Sequence, residues 1–194
     1  YIKMIIIILK IRANNPIIMM GETGCGKTYL IKTLAEIMEW DVQKIESKEY
    51  DPKTRLSKMK IFDVHAGTTD EDLMNFLTKE KLLEEHQNEY DNDKNIWVFL
   101  DEINTCNSMG VIKEMFTNHS ILGKKILKQV RFIAACNPYR KYSEDYQKKR
   151  EKYEVGLKLK EFQTSKFVYT VKPLLHSLLY FVFNFGVIDR KSVV

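Results

Sequence analysis

The chain has 194 residues, 44% of them apolar and 29% charged, and only 8 glycines and 4 prolines. That supplies one full core and is too poor in Gly and Pro for a disordered segment. The net charge of +5 is modest and its basic residues are interleaved with acidic ones, so charge by itself gives no argument for a nucleic-acid partner.

The chain begins at Tyr1 and not at methionine, as expected of a piece of a longer polypeptide or of an incomplete gene model. Ile5 to Leu9 form a β-branched run too short to span a bilayer, with no small-residue cleavage pattern after it. It reads as a strand or an entering segment covering residues 1–16.

Next comes an apolar run, Ile17-Ile18-Met19-Met20, followed directly by Gly21-Glu22-Thr23-Gly24-Cys25-Gly26-Lys27-Thr28. The G-x-x-x-x-G-K-T spacing is that of a phosphate-binding loop and predicts a nucleoside triphosphate ligand. Glycines at 21, 24 and 26 permit positive φ and close backbone approach, so successive N–H groups turn inward on the phosphates. Lys27 brings a point charge to the β- and γ-phosphates, and the Thr28 hydroxyl is suited to Mg²⁺. Leu30, Leu34, Ile37 and Met38 then recur at helical spacing, which predicts a helix from Thr28 to about Trp40 with its N-terminus toward the anion. A polar connector with Asp51-Pro52 leads to a strand at Lys60–His65. A helix is expected within Thr69–Glu89, where Thr69, Asp70 and Asp72 read as its start.

Ile96-Trp97-Val98-Phe99-Leu100-Asp101-Glu102 reads as a strand buried on both faces and ending in two carboxylates. After a phosphate loop, Asp101 is expected to hold Mg²⁺ through its water shell beside Thr28, and Glu102, as carboxylate, to polarise the attacking water. A helix near Ser108–His119 precedes the strand Val130–Asn137, which Pro138 ends. The Asn137 amide is placed to position water and sense the γ-phosphate. Locally the same residues fit a strand-terminating Asn-Pro turn as well, and the order of the three motifs favours the functional role.

The segment 139–162 is a charged insert. Its lysines and arginines, among them Arg140, Lys148, Lys149 and Arg150, alternate with acidic residues and tyrosines, the pattern of a solvated helix more than of a single-stranded nucleic-acid site. Nucleic acid is therefore not the expected partner. Arg140 or Arg150 reaching a neighbouring module's γ-phosphate is the other reading. A strand at Lys166–Val171 leads to Leu174–Ile188, which is too short for a membrane span and reads as a buried helix. Cys25, Cys106 and Cys136 lack metal-ligand spacing and suit free thiols in a reducing, cytoplasmic setting. The alternation of strands and helices predicts an α/β fold, a parallel sheet wound on both faces with ligand at the carboxyl ends of the strands.

The loop motif together with Val64-His65-Ala66-Gly67-Thr68-Thr69, Leu100-Asp101-Glu102-Ile103-Asn104-Thr105 and Ala134-Ala135-Cys136-Asn137-Pro138-Tyr139-Arg140-Lys141 resembles an AAA+ module of the mysterin family, giant ubiquitin ligases with a dynein-like ATPase core. The loop and Asp-Glu-Ile-Asn are shared with midasin and dynein-type modules; the other two segments single out mysterin. The resemblance implies a P-loop NTPase, the AAA+ large subdomain, with Lys27 and Thr28 in Walker A, Asp101 and Glu102 in Walker B, and Asn137 as sensor 1. It implies ATP and Mg²⁺ as cofactors, hydrolysis as the activity, and neighbouring AAA+ modules of one longer chain as partners, one of which supplies an arginine in trans. Residues 17–188 are then the nucleotide-binding core and 189–194 a truncated tail, with the helical lid expected to be missing. Ubiquitin transfer would belong to the larger protein. The alternatives are a module that holds ATP as a structural switch, and a midasin-type remodeller.

Overall fold

Ile96-Trp97-Val98-Phe99-Leu100 is apolar at odd and even positions alike, and a strand of that kind must be covered on both faces. The computed structural model, which describes residues 2–38, 59–89, 95–138 and 171–186, satisfies this with a doubly covered sheet. In chain order its elements are α1 (Ile2–Arg12), β1 (Ile17–Gly21), α2 (Lys27–Met38), β2 (Met59–Asp63), α3 (Asp70–Lys79), a 3₁₀ turn (Glu84–Glu89), β3 (Ile96–Asp101), α4 (Met109–Asn118), the hairpin strands β4 (Ser120–Ile121) and β5 (Lys124–Lys125), β6 (Val130–Cys136), a second 3₁₀ turn (His176–Phe181) and β7 (Val182–Gly186). The main sheet has the order β2-β3-β6-β1-β7, and each neighbouring pair is parallel.

Alternate residues of the strands feed two cores, as the two-residue strand period requires. Ile18, Val98, Leu100, Phe132 and Ala134 pack in one cluster with Leu73 and Leu77 of α3 and Ile112, Met115 and Phe116 of α4. Ile17, Met19, Trp97, Phe99, Ile133 and Ala135 pack on the other side with Ile7 and Ile11 of α1 and Ile31 and Leu34 of α2. Each fully buried isoleucine, leucine, valine, methionine or phenylalanine side chain among them contributes about 1.5–3 kcal/mol. The α/β expectation is met, and Thr69 caps α3 as expected. Its side chain accepts from Asp72 N, while the Asp72 carboxylate accepts from the Thr69 N–H and from the Thr69 hydroxyl, and these last two bonds hold that carboxyl below the usual carboxylate range.

Two expectations are corrected. The isoleucine run at the N-terminus is helix α1, not a strand: Ile7 and Ile11, four apart, are buried against β1 and α2, and this packing overrides β-branched propensity. Asn14 at φ 56 and the following Pro16 stop it before β1. The stretch expected at Leu174–Ile188 as a buried helix is, over its described residues 174–186, a 3₁₀ turn followed by β7. β1 would otherwise be a sheet edge, and Val182-Phe183-Asn184 pair along it in register with Ile18-Met19-Met20. Lys3 Nζ bonds the Phe185 carbonyl and lies 4.5 Å from the centre of that ring, tying α1 to β7. The strand expected at Lys166–Val171, except for Val171 itself, the connector with Asp51-Pro52 and the insert 139–162 lie outside the described residues, as do Arg140 and Arg150.

Candidate functional site

The loop between β1 and α2 turns on two glycines. Gly24 and Gly26 have φ of +81° and +85°, a region that strains any L side chain, while a Cβ at either would meet no heavy atom within 4 Å. It is the backbone conformation, not crowding, that calls for glycine. Gly21 differs from expectation: it ends β1 without positive φ, paired with Gly186 across a register shift. α2 then starts at Lys27, with Leu30 N donating to Gly26 O at 2.9 Å.

Lys27 is only 8% exposed, and a buried ammonium must be surrounded by acceptors. Its Nζ donates to Gly21 O at 2.7 Å and Glu22 O at 2.9 Å, and lies 3.5 Å from Asn137 Oδ1 and 3.9 Å from Cys25 Sγ. One residue on, Thr28 Oγ1 donates to Asp101 Oδ2 at 2.9 Å, joining the start of α2 to the end of β3.

At the carboxyl end of β3 the backbone leaves the sheet abruptly. Glu102 has φ +52°, a left-handed conformation that is costly for a residue with a side chain. Several bonds hold it there: its N–H donates to Asp101 Oδ1 at 3.0 Å, and its carbonyl accepts from Thr105 N at 3.0 Å and Thr105 Oγ1 at 2.9 Å. The result is an exposed carboxylate beside the loop.

Asn137 joins these parts. β6 lies between β1 and β3, so the residue after its end stands between the loop and the Asp-Glu pair. Its Oδ1 accepts from Thr23 Oγ1 at 3.3 Å and faces Lys27, while its Nδ2 donates to Glu102 Oε1 at 3.3 Å. One side chain here accepts from the cationic side and donates to the carboxylate, which a neutral amide can do and a carboxylate or ammonium cannot. Thr23, Lys27, Thr28, Asp101, Glu102 and Asn137 thus form one constellation along the carboxyl edge of the sheet. Cys136 lies just beneath it, and burial pushes its thiol up to about 12 against the opposing pull of Lys27. Burial also raises the Cys106 thiol.

Thr28 and Asp101 supply hydroxyl and carboxylate oxygens, hard ligands of the kind Mg²⁺ takes. Two such residues are too few for an all-protein cage and suit an ion that keeps waters and phosphate oxygens. Sequence reasoning gave no role to Asn104, which is 1% exposed and bonds both backbone groups of Asn137. Its signal was an amide in the turn after the Asp-Glu pair, but its partner lies 33 residues on.

A family profile described as "RNF213 AAA domain" matches residues 1–140. The chain is 31% identical over 202 residues to the E3 ubiquitin-protein ligase rnf213-beta of Danio rerio, covering 98% of this chain and 4% of that protein. It is 31% identical over 196 residues to E3 ubiquitin-protein ligase RNF213 of Homo sapiens, with 95% and 4% covered, and 30% identical over 202 residues to that of Mus musculus, with 98% and 4% covered. The chain therefore spans about 4% of the length of these relatives.

Proposed function

This chain belongs to the RNF213 AAA domain family, the mysterin family that its motifs resemble, and from that premise we propose that it binds ATP with Mg²⁺ and hydrolyses it. The observation that carries the reading is the single constellation that links loop, Asp-Glu turn and Asn137. Loop N–H groups and Lys27 bind the phosphates, and Lys27 stabilises charge developing on the transferred group. The Thr28 hydroxyl and Asp101 carboxylate would hold Mg²⁺, which when bound neutralises phosphate charge. Glu102, exposed and held at a fixed backbone angle, orients water and accepts its proton. Asn137 reports the γ-phosphate and aligns Glu102.

Positioning and electrostatics are the whole chemistry, so removing the acceptor should stop turnover while sparing binding. Single-turnover hydrolysis of radiolabelled ATP, in this chain and in a longer polypeptide with its neighbours, is expected to fall about 100-fold or more with Glu102→Gln. A Glu102→Gln protein that hydrolyses ATP as fast as the parent refutes the role of Glu102; tight binding without turnover in either form replaces hydrolysis with a nucleotide-held switch. The wider role proposed is that of one module in a cytoplasmic mysterin-like ubiquitin ligase. Adjoining AAA+ modules would complete the site with an arginine, and ubiquitin transfer would lie elsewhere. Among the described residues no helix is long and apolar enough to cross a membrane.

A further inference from the structure

We infer that Asn104 is the positioning residue of the nucleotide sensor: its side-chain amide replaces the missing strand neighbour of Asn137 and thereby sets the direction of the Asn137 amide, an inference that rests on the site reading above. β3 and β6 pair as far as Leu100 and Ala134. Beyond that point the left-handed turn at Glu102 takes the β3 backbone out of the ladder, so β6 runs on past its partner. The Ile103 N–H still reaches Ala135 O at 3.0 Å. Among the described residues no backbone group pairs with the Asn137 backbone, and the Asn104 side chain takes over. Its Nδ2 donates to Asn137 O at 2.8 Å and its Oδ1 accepts from Asn137 N at 3.3 Å.

A primary amide carries the donor and acceptor of a peptide group, so it can mimic a strand neighbour; aspartate, leucine or serine cannot make both bonds in this geometry. Both residues are buried, Asn104 at 1% and Asn137 at 6% exposure, so water does not substitute readily for either bond. The Asn104 carbonyl in turn accepts from Lys172 N at 2.7 Å, and the chain from Lys172 runs on to β7 alongside β1. The clamp is therefore also held by the segment that leads into β7, the strand beside β1.

Calorimetric titration of MgATP and MgADP into the wild-type chain, Asn104→Asp, Asn137→Ala and the double variant tests this. Asn104→Asp keeps the acceptor and loses the donor. It is expected to lower the ATP-to-ADP affinity ratio about tenfold, the worth of one hydrogen bond to a charged group. ADP affinity should stay within about twofold, since a hydrogen bond to the γ-phosphate alone is lost. The double variant should show no loss beyond Asn137→Ala, as expected of residues acting in series. A ratio kept by Asn104→Asp but lost in Asn137→Ala overturns the inference and leaves the site reading standing. A wild-type chain that binds neither nucleotide, or binds both equally, overturns the site reading and the inference with it. Should Asn104→Asp fail to fold, Asn104→Gln, which displaces the amide by one methylene, is read by the same ratio.

Discussion

Backbone strain at Glu102 can be measured apart from its chemistry by comparing two variants that both lack the carboxylate. At φ +52° an L side chain costs about 1–2 kcal/mol relative to the right-handed region, and glycine escapes that cost. Glycine in turn gives the unfolded chain more freedom, which costs about 0.4–1 kcal/mol against alanine. The difference leaves Glu102→Gly more stable than Glu102→Ala by about 0.5–1 kcal/mol. In a chain of this size that raises the melting temperature of the glycine form by about 2 °C over the alanine form. Lys113, exposed inside α4, supplies the internal control, because glycine there should be the less stable of the pair by about 1 kcal/mol. Thermal unfolding followed by circular dichroism reads all four proteins. A Glu102→Ala protein as stable as Glu102→Gly would refute the strained turn, and with it the account of how the carboxylate is held beside the loop.

Thiol labelling at neutral pH should modify Cys25, which is part exposed, and spare the buried Cys106 and Cys136 until the chain unfolds; counting labels by mass spectrometry under native and denaturing conditions checks this. The same burial makes stability depend on alkali. Cys136 keeps its proton when folded to about 12 against a usual 9.0, so the folded chain binds more protons between those values. Stability from this group is full below about pH 9 and falls as pH rises toward 12, so Cys136→Ala should flatten that decline in urea titrations across the range. Thr69→Ala removes the hydroxyl that accepts from Asp72 N and should cost about 1 kcal/mol in the same urea assay, with Thr69→Ser restoring most of it.

The loop and the strand ends were legible because they are written in short spacings. A phosphate loop needs only neighbouring glycines and a Lys-Thr pair before a helix, and Gly24, Gly26, Lys27 and Thr28 stand where those rules put them. β3 and β6 were legible for a similar reason, since strands apolar at every position have to be covered on both faces. Thr69 and Asp72 announced the start of α3 at capping distance. The two misreadings arose where an apolar run has no clear period. Ile5 to Leu9 and Leu174 to Ile188 fit either element by composition, and their neighbours decided the outcome: Ile7 and Ile11 had a groove against α2 to fill, and the β7 residues had an open edge of β1 to pair with.

By itself the sequence determined that a phosphate loop, an Asp-Glu strand end and an Asn-Pro strand end follow one another in a parallel α/β chain, because each is a contiguous pattern. The order of the strands was decided only by the tertiary structure, since pairing depends on which faces and edges the helices leave open. That order put β6 between β1 and β3, brought Asn137 within reach of Lys27 and Glu102, and gave Asn104 its partner across 33 residues of sequence, a contact that no local spacing encodes.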